Sequence, residues 1–387
     1  MKIKIGVFFG GKSVEHEVSV ISAMQAIAAL NKEKYHPIPI YIAKDGVMYT
    51  GEKMDDIEFY KQLDSNLKKA DKITLISDGG KTTIIKTESK LFSKTKLDII
   101  DVAFPVVHGT NAEDGSLQGF LELLGVPYVG CDVLSSALGM DKYIAKILLK
   151  DNGIPVLDCV CFDAIQFENK KEELLKEIYS LGLPVIIKPS NLGSSVGIKK
   201  AETLESVYDA VNEAFLFAPR VLVEHAVENL REINCSVLGD YQKAGASLCE
   251  EPVINDDILS YSDKYLTGNK SSKGMQSTKR LLPAPIPKEQ EEKIKQLAIK
   301  TFQTLGCSGV ARIDFLMNDK SGEIWVNEIN TIPGSLSFYL WEPLGITFDL
   351  LCEQLINLAL KRAREKNKLN FTFQTNLLQN INFKGKK

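Results

Sequence analysis

Lysines alternate with isoleucines at the start of the chain. MKIKIGVFF sets Ile3, Ile5 and Val7 against Lys2 and Lys4 and finishes apolar, which predicts a strand entering a buried sheet. Gly10 and Gly11 read as a turn, and Ser13 as the N-cap of a helix whose apolar residues Val18, Ile21, Met24 and Ala28 mark one face. HPIPIYIAK, LDIIDVAFPVV and the helical GSLQGFLELLG continue the alternation of strand and helix, so a mostly parallel sheet with helices on its faces is expected. KITLIS and KTTIIKT, on either side of Asp78-Gly79-Gly80, predict a hairpin inserted at the surface.

A second unit is expected from about Gly139, with Asp141 capping the helix KYIAKILLKDNG. Its strands read VLDCVCF, PVIIKP and VLVEHAV, separated by the helices KKEELLKEIYSLG and TLESVYDAVNEAFL. A third unit from about Arg231 carries REINCSVLGD, a long polar segment over 255–280, the helix KEQEEKIKQLAIKTFQTLG, and the strands VARIDFLMN and EIWVNEIN. After Lys366 the text is Asn-rich and basic with little periodicity, the pattern of a peripheral or disordered tail. The expected division is therefore 1–138, 139–230, 231–366 and a tail at 367–387.

Composition narrows the classes. A chain of 387 residues exceeds what one core supports, so two or three domains are expected. With 47 basic against 50 acidic side chains there is no field to gather a polyanion, which argues against nucleic acid as a partner. No apolar run approaches the ~20 residues of a membrane span, and no leader precedes the first strand, so a cytoplasmic protein without a membrane partner is expected. Seven cysteines with no C-x-x-C pair fit a reduced compartment and not a zinc site, and the four histidines are scattered.

The chemistry-bearing text begins with GVFFGGKS, which matches the phosphate-loop pattern letter for letter. A phosphate cradle needs loop backbone between its glycines, and here that span reads as strand, so the match is set aside. The strongest signal lies late in the chain. Arg312 and Asp314 are two apart on one predicted strand, and Glu328 and Asn330 are two apart on the next, which puts each pair on one face. If those strands pair across the turn 318–322, three oxygen donors suited to Mg²⁺ converge beside Arg312. The alternative is a polar sheet face studded with salt bridges. Ala311, Ile313, Phe315, Trp325 and Ile329 on the alternate positions favour a buried second face and a first face kept for charge.

PVIIKPSNLGSSVGI offers a strand ending in Lys188 and a loop of small residues, a better phosphate cover than the opening stretch. Gly193 to Gly197 also spells G-x-S-x-G around Ser195. A nucleophile elbow, however, turns straight from strand to serine, and the downstream His225 falls in an apparent strand. Glu224 and Glu232 flank a segment of the kind that reads an adenine edge, or are two solvated glutamates. His108-Gly109 with Glu113-Asp114-Gly115 is either a capped turn or part of a cleft.

Taken together, GGKSVEHEVS, HGTNAEDGSLQGFLELLGVPYVG, ALGMDK, IIKPSNLGSSVG, DKYL, GVARIDF and NEINTIPG, in this order over about residues 1–360, resemble the D-alanine-D-alanine ligase family. The resemblance implies an α/β chain of ATP-grasp type, with an N-terminal parallel-sheet domain followed by two ATP-grasp α+β domains. It implies ligation of two D-alanines through an acyl phosphate, for peptidoglycan, by a cytoplasmic homodimer using ATP and two Mg²⁺ ions, with Mn²⁺ as an alternative. Lys142, Lys188, Ser195 and Lys264 would serve the ATP phosphates, Glu224 the adenine and Glu232 the ribose. Asp314, Glu328 and Asn330 would hold the metals, while Arg312 and the Gly334 N–H would stabilise the oxyanion. Glu15 would anchor the first D-alanine's ammonium in a trio with Ser194 and Tyr265, and Tyr265 would belong to a lid over the site. A tyrosine there, where depsipeptide-forming relatives tend to carry phenylalanine, points to an amine acceptor. His108 is a candidate substrate contact.

The chain departs from the family in three places. Tyr339 stands where a serine commonly binds the second substrate's carboxylate, leaving Ser337 or the Tyr339 hydroxyl to substitute. GNKSSKGMQSTK lengthens the lid, and Ala112 replaces a usual glycine. An acceptor such as D-serine or D-lactate, or a non-catalytic nucleotide-binding homologue, are the alternative functions.

Overall fold

The computed structural model describes residues 2–88, 95–193, 196–253 and 280–372. Three sheets follow one another along the chain. The first contains β1 (Ile3–Gly10), β2 (Tyr35–Ile42), β3 (Met48–Thr50), β4 (Asp71–Asp78), β5 (Lys81–Lys86), β6 (Lys96–Ile100) and β7 (Val102–Pro105), in the order β6-β5-β4-β3-β2-β1-β7. Parallel pairing is confined to β2-β1-β7, a smaller share of the sheet than the mostly parallel one expected. The remaining four pairings are antiparallel, because the hairpin β4-β5 is not a surface insertion but extends this same sheet. LDIIDVAFPVV, read as one strand, breaks at Asp101 into β6 and β7. These lie at opposite ends of the strand order, so the sheet curls back on itself there.

Alternate residues of β1 feed two cores. Ile5, Val7 and Phe9 join the helix His16–Ala29 and, from the far end of the chain, Leu351, Cys352, Leu355 and Ile356 of the helix Phe348–Lys366. Phe8 packs the other way, onto Ile38, Ile40, Ile84 and Ile100. Gly6 shares that side because a Cβ there would come within 2.9 Å of Ile100.

The first helix starts at His16, later than the expected Ser13 cap; the Ser13 hydroxyl instead accepts from the Glu15 N–H. Its buried stripe also differs from the expected Val18, Ile21, Met24 and Ala28. Ser19, Ser22, Ala23, Ala26 and Ile27 face inward, since small side chains allow close approach to the sheet and to the loop at Gly334. The phosphate-loop match fails as expected: the Gly10 N–H donates to Ser19 Oγ at 2.8 Å and the Gly11 N–H to the Ile42 carbonyl at 2.7 Å. These amides serve the turn and do not converge on an anion.

The second sheet, β10-β9-β11-β8, is antiparallel and built from β8 (Cys159–Asp163), β9 (Val185–Pro189), β10 (Lys199–Ala201) and β11 (Arg220–His225). Asp141 caps its leading helix, accepting from the Tyr143 and Ile144 N–H groups, and also holds Arg220 and the Ser190 hydroxyl. The third sheet, β14-β13-β12-β15-β16, comprises β12 (Leu230–Gly239), β13 (Ala244–Pro252), β14 (Arg280–Leu281), β15 (Gly309–Asn318) and β16 (Ile324–Asn330).

Candidate active site

The third sheet forms the floor of the site. Strand register sets Glu250 opposite Asn234, Asn234 opposite Asp314, and Asp314 opposite Glu328, a row of polar residues across four strands. The next row holds Ser236, Arg312 and Asn330. The residues between these rows, Cys235, Ile313 and Ile329, point the other way into a core with Ile294, Ala298 and Phe302 of the helix Lys288–Thr304. The expected charged and buried faces are both present, except that Trp325 stands opposite Leu316 on the charged side, because the bulge after Asp314 shifts the alternation and Ile324 and Val326 fill the core instead.

Arg312 grips Asp314 twice, Nε to Oδ1 at 2.6 Å and Nη2 to Oδ2 at 2.7 Å, and Asn330 Nδ2 donates to Asp314 Oδ2 at 3.0 Å. Burial by itself lowers the Arg312 guanidinium pKa, but Asp314 outweighs it and raises it well above the ordinary value. A bulge after Asp314 leaves Asn327 unmatched in the ladder, and its Oδ1 accepts from Lys188 Nζ at 3.0 Å.

Between this floor and the second sheet lies a cleft of about 760 Å³. Lys142, Lys188 and Glu224 line one wall, and Glu232, Arg312, Asp314 and Glu328 the other. Lys142 bridges the two, with Nζ 3.1 Å from Glu328 Oε2 and 2.8 Å from the Leu192 carbonyl. Glu224 is 1% exposed and pairs with both Lys146 and Lys188. Burial pushes its carboxyl up, yet the two lysines prevail and hold it below the usual range. Two cations around one buried carboxylate form a rigid cationic wall, suited to a polyanion that brings its own compensating charge.

The opening stretch meets the far end of this site. Glu15 is 9% exposed, and a Cβ at Gly109 or Gly193 would come within 3.3 or 3.8 Å of its Oε2, so Glu15 sits against both the 108–109 turn and the glycine-serine loop. Burial raises the Glu113 carboxyl to about 8, and Glu15 adds to the shift. Burial lowers the His108 pKa. Its Nδ1 donates to the Ile332 carbonyl at 2.8 Å, and its Nε2 accepts from the Ser22 hydroxyl at 3.0 Å.

Beyond Gly334 the chain turns left-handed. Ser335, Leu336 and Ser337 have φ of 50°, 51° and 51°, a conformation costing side-chain-bearing residues about 1–2 kcal/mol each. Burial of Leu336, Phe338, Leu340 and Trp341 in the first core, together with a 3.1 Å bond from Trp341 Nε1 to Ser236 Oγ, holds it in place. Ser337 is fully buried, and its hydroxyl has no hydrogen-bond partner among the described residues. The Tyr339 hydroxyl donates to Glu250 Oε1 at 3.0 Å beneath Arg280, whose guanidinium lies 3.9 Å from the ring centre.

Arg312, Asp314, Glu328, Asn330, Lys142, Lys188, Glu224 and Glu232 therefore share one cleft region, with Glu15, His108 and the Gly334 loop adjoining at the first unit. Ser194, Ser195, Lys264 and Tyr265 lie outside the described residues. His225, the downstream histidine of the serine-hydrolase alternative, ends β11, and its Nδ1 donates to the Gly182 carbonyl at 3.0 Å. Sequence reasoning missed Lys146, Asn327 and Ser22. Lys146 had a signal, lying one turn from Lys142 on a helix stripe that buries Lys142, Ala145, Lys146 and Leu149.

Residues 4–131 match the family described as D-ala D-ala ligase N-terminus, and residues 148–357 the one described as D-ala D-ala ligase C-terminus. The chain belongs to the D-alanine-D-alanine ligase family. It is 42% identical over 378 residues to the D-alanine--D-alanine ligase of Thermosipho melanesiensis, covering 97% of this chain and 98% of that one. Among solved structures, the D-alanine-D-alanine ligase from Coxiella burnetii is 32% identical with a TM-score of 0.77, covering 95% of this chain and 96% of that chain. The VanG D-Ala:D-Ser ligase from Enterococcus faecalis is 34% identical with the same TM-score of 0.77, covering 93% and 100%. The three-sheet architecture is thus the ATP-grasp arrangement of this family.

The donor set suits a divalent cation. Among the described residues no group of three His, Cys, Asp or Glu side chains gathers as a metal site. Two carboxylates and one amide oxygen fall short of a full protein cage, the character of Mg²⁺ sites that retain waters and substrate phosphates.

Proposed function

We propose that this chain is an ATP-dependent ligase that joins two D-alanines through an acyl phosphate, supplying the dipeptide for peptidoglycan. The observation that carries the reading is the facing of two charge sets across one cleft, lysines above and the Arg312, Asp314, Glu328 and Asn330 patch below. Lys142 and Lys188 hold the ATP phosphates; Glu224 orients the ends of Lys146 and Lys188 and borders the adenine, and Glu232 takes the ribose. Asp314, Glu328 and Asn330 hold two Mg²⁺ ions, with Mn²⁺ able to substitute, and these supply charge neutralisation on the transferring phosphoryl group. A carboxylate is a poor acyl donor, so activation as a mixed anhydride must precede amide formation.

Glu15 binds the first D-alanine's ammonium, and Ser194 and Tyr265 complete that anchor. Ser195 and Lys264 attend the phosphates. When the second amine attacks the acyl phosphate, Arg312 and the Gly334 N–H face the developing oxyanion. Ser337 or Tyr339 receives the second carboxylate once the Tyr339–Glu250 bond opens. To this reading belong three domains near 1–138, 139–230 and 231–366 with a tail at 367–387, a cytoplasmic location and a homodimer.

Phosphate release tests the reaction. With ATP, Mg²⁺ and D-alanine alone, release accompanied by D-alanyl-D-alanine is expected. Release only with a D-alanine/D-serine or D-alanine/D-lactate pair replaces the acceptor, and nucleotide binding without turnover overturns the ligase reading. Glu328→Gln is expected to cut turnover by at least about 100-fold at unchanged circular dichroism; near-normal activity removes its metal role.

A further inference from the structure

A buried histidine-serine pair reaches from the first unit to the loop that carries Gly334. The carbonyl of Ile332 can only accept, so His108 Nδ1 carries the proton toward it and Nε2 is left as the acceptor for the Ser22 hydroxyl. The Ser22 oxygen in turn accepts from the Ser335 N–H at 2.9 Å. The bonds run in one direction, Ser335 N–H to Ser22 O–H to His108 to the Ile332 carbonyl, and they close on the loop where they began. Ser22 is 1% and His108 2% exposed, so water does not compete for either group. Gly334 lies between the two pinned points, and directly after it come the three left-handed residues, which leave the loop little intrinsic preference for this shape.

We infer that Ser22 and His108 form a clamp that aims the Gly334 peptide N–H at the oxyanion, with Ser22 a positioning residue for the transfer step. Neither side chain needs to touch substrate for this role. The clamp fixes a carbonyl and an amide two peptide units apart, which sets the orientation of the peptide between them. It also explains why the first helix turns serines and alanines inward, since a larger residue at Ser22 would hold the loop away. The inference rests on the oxyanion role given to Gly334 above.

The two ideas fail separately. A wild-type enzyme that forms no dipeptide from ATP and D-alanine removes the proposed function. Given an active wild type, Ser22→Ala and His108→Leu are expected to lower kcat for dipeptide formation by about 10- to 100-fold, with KM for ATP within about twofold. His108→Gln, which keeps an acceptor for Ser22, is expected to recover most of that loss. Because the activation step develops no tetrahedral oxyanion, Ser22→Ala is expected to show a first-turnover burst of ADP followed by slow dipeptide release. Wild-type kcat in Ser22→Ala overturns the clamp. So does equal slowing of ADP formation and transfer together with a fallen melting temperature, the signature of a merely structural pair.

Discussion

Glu113 shows how a single side chain links burial to pH. Its folded value of about 8 stands above the ordinary 4.5, first because burial disfavours the carboxylate and then because Glu15 adds negative charge beside it. Below about pH 4.5 folded and unfolded chains both hold this proton. Between 4.5 and 8 only the unfolded chain releases it, so stability falls as pH rises through that window and levels off above it. Glu113→Gln removes the difference. Urea unfolding at pH 5 and pH 8 is expected to show a larger loss for wild type than for the variant, and parallel losses would show that Glu113 titrates normally. At this scale Lys188, Asp314 and Glu328 were legible because each sits at a patterned place, a strand end or a period-two pair. Asn327 was not, because a bulge turns it toward Lys188 and nothing in EIWVNEIN announces the bulge.

Elements were read well where periodicity reports burial on one side and poorly where packing is by small residues. The hairpin β15-β16 paired as its sequence required, and the helix that Asp141 was expected to cap begins there. The helix His16–Ala29 was rotated in the reading, since Ser19, Ser22, Ala23 and Ala26 carry little hydrophobic signal although they are the contact face. Close approach also governs the entry to β15. Gly309 has φ of +84°, and a Cβ there would stand 2.8 Å from Cα of Gly130, on the connection leaving the first unit. Gly309→Ala is therefore expected to cost about 2–3 kcal/mol, from left-handed strain plus backbone displacement. A change below about 0.5 kcal/mol in urea unfolding would show that the two segments separate freely.

Across the whole molecule, the cleft draws its walls from two sheets with different cores, so a ligand that bridges them ties the units together. ADP with Mg²⁺ at about 100 times its Kd is expected to stabilise the fold by about 2.7 kcal/mol, seen as a higher melting temperature. No shift at millimolar ADP would remove the nucleotide from this cleft. The units are not self-contained, because the helix Phe348–Lys366 ends the chain's third unit yet packs on β1 and the helix His16–Ala29 of the first. Strand alternation, caps, glycine turns and the paired acids with Arg312 follow from local sequence, since period and backbone preference act over a few residues. The curl that sends 96–105 to both edges of one sheet, the pairing of Lys146 with Glu224, and the reach of Ser22 and His108 to Ile332 and Ser335 depend on contacts between residues up to 313 positions apart. Such contacts exist only once the sheets have packed and excluded water, and no periodicity along the chain encodes them.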